Sequence, residues 1–346
     1  MSPAPAPAQR TAFRRALLAW FRAQARPLPW REAPTLYKTV VSEFMLQQTQ
    51  VKTVLPYFAR WLAALPDFAA LAAAPEERVL RLWEGLGYYA RARHLHRLAR
   101  ALGTGAAPVT AEGWRELPGI GPYTAAAIAS IACGAAAACV DGNVVRILAR
   151  LTADGTSFRD SATAARAFAP LAEALLSPDE PGAHNEALME LGATVCLRQN
   201  PRCGACPVRT FCAAAAAGEP TAYPRLQPKT IERRAVLRVW CERRGALLLH
   251  RAPPDARRLA GQHELPTAAQ AGVGEEEVRR GRLLAERARS ITRHRIVETI
   301  HALPPPRRKL APGLVWVPLP GLAEITLSGP HRRWVGELLA ARRAGA

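Results

Sequence analysis

Leu117-Pro118-Gly119-Ile120-Gly121-Pro122-Tyr123-Thr124-Ala125 is the stretch that decides how most of this chain is read. A helical run from Glu112 to Leu117 meets Pro118 and Gly119, and a new helix starts at Tyr123-Thr124-Ala125. Two glycines allow a tight turn whose backbone N–H groups face outward at the positive end of a helix. Such a nest binds a phosphate without reading a base. An ordinary turn between two helices is the plainer alternative, and a Gly-x-Gly pair alone does not separate the two. The full nine-residue frame in a basic, helical chain favours a nucleic-acid backbone as partner.

Outward from the turn, residues from Thr11 to about Cys212 keep apolar spacings of three and four, broken by Pro and Gly. This is the pattern of amphipathic helices with short connections. Arg14–Phe21 reads as a first helix ended by Pro27 and Pro29. Thr39–Thr49, Val51–Leu65 and Pro75–Leu86 read as others. The uncharged run Tyr123–Val140 is about long enough to span a membrane. It is mostly Ala and contains Gly134, so it reads as a small-residue helix in a core.

Beyond the Ala run at 213–217 a Pro-punctuated linker follows, and then the texture changes. Ala235–Trp240 and Ala246–His250 flank a Glu-Arg-Arg-Gly turn as in a β-hairpin. Ile296–Leu303 and Leu314–Leu319 are further strand candidates, while Glu275–Arg289 and Arg332–Arg342 look helical. The expected organisation is a flexible lead (1–10), an all-α domain (11–217), a linker (218–232) and a smaller α+β domain (233–346).

The 346 residues suit about two domains at roughly 150 residues each. With 49% hydrophobic residues the chain can bury real cores, which excludes a disordered polymer. The formal charge of +19 favours a polyanionic partner. Nearly all of it is Arg, since Lys occurs only at 38, 52, 229 and 309, so compositional bias is the competing reading. The N-terminus MSPAPAPAQR lacks the apolar run of a signal peptide, and the odd count of seven Cys does not suit a secreted disulfide framework. A reducing cytoplasm is expected.

Cys196, Cys203, Cys206 and Cys212 have the spacing C-x6-C-x2-C-x5-C. Four thiolates on so short a loop can converge on a metal, and Arg198, Arg202 and Arg209 nearby are expected to lower their pKa values. Spacing allows either a four-thiolate zinc site or an iron–sulfur cluster. Cys133, Cys139 and Cys241 read as packing residues.

Glu43 sits in the apolar run Val40-Val41-Ser42-Glu43-Phe44-Met45-Leu46. A carboxylic acid desolvated there has a raised pKa and donates a proton near neutrality. Periodicity alone places it instead on an exposed helix face. Asp141, in Val140-Asp141-Gly142-Asn143-Val144, has a plain role as N-cap of the helix starting near Val144. A second carboxylate near a buried acid is also what glycosidic cleavage needs: one group protonates the leaving group, the other stabilises a cationic sugar.

Taken in order, Leu28–Arg31, Ser42–Val51, Trp83–Arg93, Leu117–Ala125, Asp141–Val144, Asn185–Ala193 and the four cysteines resemble the MutY-type adenine DNA glycosylases. These belong to the helix–hairpin–helix superfamily that includes endonuclease III. The resemblance is close over about 25–215. It implies removal of adenine mispaired with 8-oxoguanine or guanine in duplex DNA, with the nucleotide flipped out of the stack. In that family's terms, Glu43 is the acid that protonates adenine at N7, and Asp141 stabilises the oxocarbenium-like sugar, by charge alone or through a transient covalent bond. Asn143 is its polar partner, and the Tyr123 hydroxyl orients the acids. Arg31 and Glu186 contact the flipped adenine between walls formed by Trp30 and Leu46. Gln48 and Tyr88 enter the stack around the lesion, and Thr49, Leu86, Gly119 and Gly121 count among the DNA-contacting positions. The four cysteines correspond to ligands of a [4Fe–4S] cluster. The resemblance also implies a monomer acting on double-stranded DNA, with no membrane partner, in the cytoplasm and at the nucleoid.

At Tyr123 the endonuclease III-type enzymes carry a Lys that cleaves the strand through a Schiff base. No Lys lies between Lys52 and Lys229, so base removal is expected to be monofunctional. The C-terminal region resembles the MutT-like (Nudix-fold) module with which the family recognises 8-oxoguanine. Its G-L-W-E-[LF]-P frame stands here as Gly261-Gln262-His263-Glu264-Leu265-Pro266. The Phe-Ser-His recognition loop corresponds to Ile291-Thr292-Arg293, where Thr292 keeps the hydroxyl but the aromatic and the His are changed. No Nudix metal box is present, so nucleotide hydrolysis is not expected. The rival readings are a bifunctional endonuclease III-like lyase for oxidised pyrimidines and a non-catalytic DNA-binding iron–sulfur protein.

Overall fold

The computed structural model describes residues 6–103, 105–228, 230–256, 259–291, 293–307 and 309–344. They form two compact units, one of residues 6–73 with 94–228 and the other of 74–93 with 230–344.

The first unit is helical. Its elements are α1 (Pro7–Gln24), α2 (Leu36–Leu46), α3 (Val51–Ala64) and α4 (Phe68–Ala73). After α5 (Glu76–Trp83), which belongs to the second unit, come α6 (Ala90–Leu102), in the first unit from His94 on, α7 (Ala111–Arg115), α8 (Pro122–Cys133) and α9 (Gly142–Thr152). The short strand β1 (Ser157–Phe158), α10 (Ser161–Leu175), α11 (Pro181–Thr194), α12 (Ala213–Ala216) and β2 (Arg225–Leu226) complete it. The lead is shorter than 1–10, because α1 starts at Pro7, whose fixed φ suits a first helical position. The linker is shorter too: Arg225 and Leu226 pair in parallel with Ser157 and Phe158, tying the chain up to 228 into this unit.

Two helices of this unit position the site. In α8 the residues from Thr124 to Ser130 are all buried, mostly as Ala, so α2 and α11 approach its backbone closely. No helix among the described residues is long and apolar enough to cross a membrane; the run Tyr123–Val140 becomes α8, closed by Gly134 in the left-handed region, and an extended segment. A separate core joins Phe13 and Leu17 of α1 to Ile147 and Leu148 of α9, Phe168 of α10 and Leu188 of α11. Burying each such side chain fully contributes roughly 1.5–3 kcal/mol.

The second unit is α+β. Besides α5 it holds β3 (Glu232–Trp240), β4 (Glu242–Arg243), β5 (Ala246–Arg251), β6 (His263–Glu264), α13 (Ala268–Ala271) and α14 (Glu275–Arg280). Then follow β7 (Arg282–Ile291), β8 (His294–Ala302), β9 (Leu314–Pro318) and α15 (Gly329–Ala344). One sheet has the order β3-β8-β7, with β3 parallel and β7 antiparallel to β8. In the other, β5 pairs antiparallel with β4, β6 and β9.

Two elements of the second unit differ from the sequence-based expectation. The hairpin is made by β4 and β5, while β3 itself pairs with β8. Residues 282–289 are strand instead of helix: Gly281 ends α14, and β7 then runs beside β8. Its Leu-Ala-Glu-Arg composition favours helix locally, and a non-local pairing overrides that preference.

Candidate active site

α2 is buried on nearly all sides, from Tyr37 through Met45, so it runs through the core instead of lying on it. That is why Glu43 is only 7% exposed, and the exposed-face reading fails. Burial pushes its carboxyl from an ordinary 4.5 up to about 7. The Tyr123 hydrogen bond opposes the rise, and the charges of Asp141 and Glu186 add to it. The Tyr123 hydroxyl also lies 3.4 Å from Met189 Sδ. With Glu43 protonated, the acid can donate to the Tyr123 oxygen while that hydroxyl donates to the sulfur.

Asp141 is the N-cap of α9. Its Oδ1 accepts from the backbone N–H groups of Asn143 (2.9 Å) and Val144 (2.8 Å), and its Oδ2 from Asn143 Nδ2 (3.0 Å). Burial raises its pKa, and these donors oppose the shift. Capping and charge therefore coexist on one carboxylate. Asn143 Oδ1 in turn accepts from Arg146 Nη2 at 2.9 Å. α11 passes so close that a Cβ on Gly192 would stand 2.6 Å from that of Asn143.

Trp30, Arg31, Glu43, Leu46, Thr49, Tyr123, Asp141, Asn143 and Glu186 all line one cleft of about 620 Å³, within the usual range for small-molecule sites. Trp30 is held edge-to-face on Phe58, ring centres 5.3 Å apart. Arg31 Nε donates to Glu186 at 2.8 Å and its Nη1 to Glu190 at 3.0 Å.

Glu190 was not singled out from the sequence. It is 1% exposed and also accepts from Arg26 Nε (2.5 Å) and Nη2 (3.0 Å). Burial opposes its ionisation, but the two arginines hold its pKa below the usual range. The available signal was two glutamates one helical turn apart in an otherwise apolar run.

Other expected positions lie elsewhere. Gln48 is exposed at a positive φ of 57°. Gly119 takes φ +78°, and a Cβ there would stand 2.2 Å from His94 Nδ1, so the turn before α8 requires glycine. Nothing lies within 4 Å of a Cβ built on Gly121. Leu86 is buried and Tyr88 is 46% exposed, both in the loop after α5. Thr292 lies outside the described residues.

The four cysteines line one small cavity with Arg150 and Arg209. Among the described residues no three His, Cys, Asp or Glu side chains stand in a ready metal-ligating arrangement. The donor set still fits a thiophilic centre. Arg150, 2% exposed, directs Nη1 at Cys196 Sγ (3.2 Å) and Leu197 O (2.8 Å), a buried cation beside thiols. The expected lowering is not found at Cys206 and Cys212. Burial raises Cys212 and pushes Cys206 up to about 11, against the lowering by backbone N–H groups.

An acid kept neutral near pH 7, a second carboxylate and a cleft with apolar walls suit cleavage of a glycosidic bond. Residues 41–172 match the HhH-GPD superfamily of base excision DNA repair proteins. The adenine DNA glycosylase of Mycolicibacterium smegmatis is 40% identical over 209 residues, 59% of this chain and 70% of that protein. The chain belongs to the adenine DNA glycosylase family. Other members include the Rattus norvegicus protein, 48% identical over 59% of this chain, and the Homo sapiens protein, 47% identical over 60%. The chain matches only 42% and 40% of the length of those two family members. Among solved structures, a thermostable thymine-DNA glycosylase superposes with TM-score 0.54 at 25% identity, over 61% of this chain and 98% of its own. A non-covalent endonuclease III–DNA complex superposes with TM-score 0.51 at 20% identity, over 62% and 98%, a likeness of fold.

Proposed function

We propose that this protein excises adenine from mispairs in duplex DNA, opposite 8-oxoguanine or guanine, as a base excision repair glycosylase. The observation that carries the reading is Glu43, a carboxyl held protonated up to about pH 7 in the cleft that Asp141 also lines. Glu43 supplies the proton to adenine N7 as the bond to the sugar breaks. Asp141, fixed by three donors, stabilises the positive charge that develops on the sugar, with Asn143 holding its orientation. Tyr123 orients the acid. Arg31 and Glu186 hold the extruded base between Trp30 and Leu46, and the buried Glu190 fixes Arg31 from behind.

Gly119 and Gly121 present backbone N–H groups to a phosphate. Gln48, Thr49, Leu86 and Tyr88 act around the lesion, Tyr88 by entering the base stack. Cys196, Cys203, Cys206 and Cys212 would hold a [4Fe–4S] cluster, which supplies a fixed charge and ties their loop into one shape. The C-terminal unit serves as a Nudix-like module for the opposite base. Tyr123 replaces the nucleophilic Lys of related lyases, so water completes the reaction. Among the described residues Lys52, exposed, is the one lysine lining the cleft.

The test is strand scission on duplexes carrying A opposite 8-oxoguanine, G, C or T, with and without alkali. Alkali-dependent breaks at A opposite 8-oxoguanine and G are expected. Breaks without alkali, with a borohydride-trapped adduct, would contradict the monofunctional reading, and no release of adenine would contradict the whole.

A further inference from the structure

The loop after α5 is built under strain and exposes an aromatic ring. Gly85, Gly87 and Tyr88 have φ of +105°, +70° and +49°, and Tyr88 is 46% exposed. A tyrosine in the left-handed region persists only where its surroundings over-determine it. Two arginines supply that support within the second unit.

Arg91, 8% exposed, braces the loop from inside. Its guanidinium lies 5.3 Å from the ring centre of Trp83 and 5.4 Å from that of Tyr88. Its Nη2 donates to Leu86 O (3.1 Å) and Gly87 O (3.2 Å), and Trp83 Nε1 donates to the same Gly87 carbonyl at 3.0 Å. Arg332, near the start of α15, holds the loop from the C-terminal residues. Its Nη2 donates to Glu84 Oε2 (3.1 Å) and its Nε to Oε1, a two-point grip on the residue that opens the loop. The same guanidinium is anchored on Leu322 O and Ile325 O, each at 2.5 Å. Tyr89, just past the loop, donates to Leu327 O at 3.2 Å.

We propose that Arg332, acting through Glu84, is a positioning residue that holds the Gly85–Tyr88 loop as a wedge, so that the C-terminal unit takes part in opening the duplex. This rests on the reading that Tyr88 enters the base stack. A planar, anchored fork at 332 fixes both the height and the direction of the loop; a lysine there reaches Glu84 with one point only.

The experiment measures single-turnover excision by the full-length protein on two duplexes. One is fully paired, with A opposite 8-oxoguanine. In the other the target adenine sits in a bulge and is already unstacked. Arg332→Met is expected to slow excision about 10-fold on the paired duplex and less than about twofold on the bulged one, the mark of lost positioning. Arg332→Lys falls between. Glu84→Gln, a milder change should the Met variant fold poorly, shows the same split, and combining it with Arg332→Met adds nothing further. Unchanged rates on the paired duplex overturn the proposal, and so do equal losses on both duplexes, which indicate a merely loosened fold. If the unaltered protein excises adenine from neither duplex, the glycosylase reading itself fails.

Discussion

Two buried glutamates, one in each unit, sit in opposite surroundings. Glu43 in α2 has the Tyr123 hydroxyl and the carboxylates of Asp141 and Glu186 near it and only a minor lowering from Arg31, and its carboxyl is pushed up to about 7. Glu298 in β8 is 0% exposed, but Arg238 Nε donates to it at 2.6 Å and Arg289 pairs with its other oxygen. Glu190 repeats the second arrangement in the same cleft as Glu43. Burial alone therefore does not make an acid. At Glu190 the paired arginines favour the anion, whereas a buried carboxyl without such pairing becomes a proton donor.

The largest expected effect separates these two roles. Glu43→Gln removes the proton donor and should slow excision by about 10²–10⁴-fold, with duplex affinity in a gel-shift titration unchanged. Glu298→Ala leaves the buried Arg238 and the half-buried Arg289 without this anion and should cost about 3–5 kcal/mol of unfolding free energy in urea. The excision rate per folded molecule should hold; a loss like that of Glu43→Gln would erase the contrast.

The same contrast has a pH signature. Below pH 4.5 Glu43 is protonated both folded and unfolded and adds nothing to the pH dependence of stability. As pH rises towards about 7, the unfolded chain releases this proton while the folded one keeps it, so stability falls. The raise from 4.5 to about 7, at about 1.4 kcal/mol per unit, comes to about 3 kcal/mol above neutrality. Glu43→Gln should therefore stabilise the protein by up to about 3 kcal/mol at about pH 8 and by almost nothing at about pH 4. Urea melts of both proteins at the two pH values check the sign.

Asp141→Asn sharpens the cleft further. An Asn still caps α9, so stability should change by less than about 1 kcal/mol. Loss of the charge should slow single-turnover excision by about 10²–10³-fold. A near-normal rate would leave Asp141 as a helix cap only. The smallest effect concerns the +19 charge: duplex affinity should fall steeply between low and moderate salt as phosphate contacts release counterions. A flat response would make the arginines a matter of composition.

What could be read from the sequence follows from whether the cause was local. The turn at Gly119–Gly121, the cap at Asp141 and the cysteine spacing are local devices, and each names its own residues. The burial of Glu43 is not local: α2 is enclosed by neighbours distant in sequence, and periodicity cannot distinguish an all-round buried helix from an amphipathic one. Glu190 and Arg150 were missed for the same reason, as charged residues in helices that look exposed until their partners arrive. Residues 282–289 were misread because their pairing with the following strand β8, and not their own composition, decides their conformation.

The claim on which the chemistry stands is the protonation of one carboxyl near neutrality. Infrared difference spectra between the unaltered protein and Glu43→Gln, taken across a pH titration, read that carboxyl directly through its C=O stretch. The protonated band is expected to persist to about pH 7 and then vanish, in step with the fall in excision rate. A band already gone by about pH 5, the behaviour of an ordinary solvated glutamate, would contradict it.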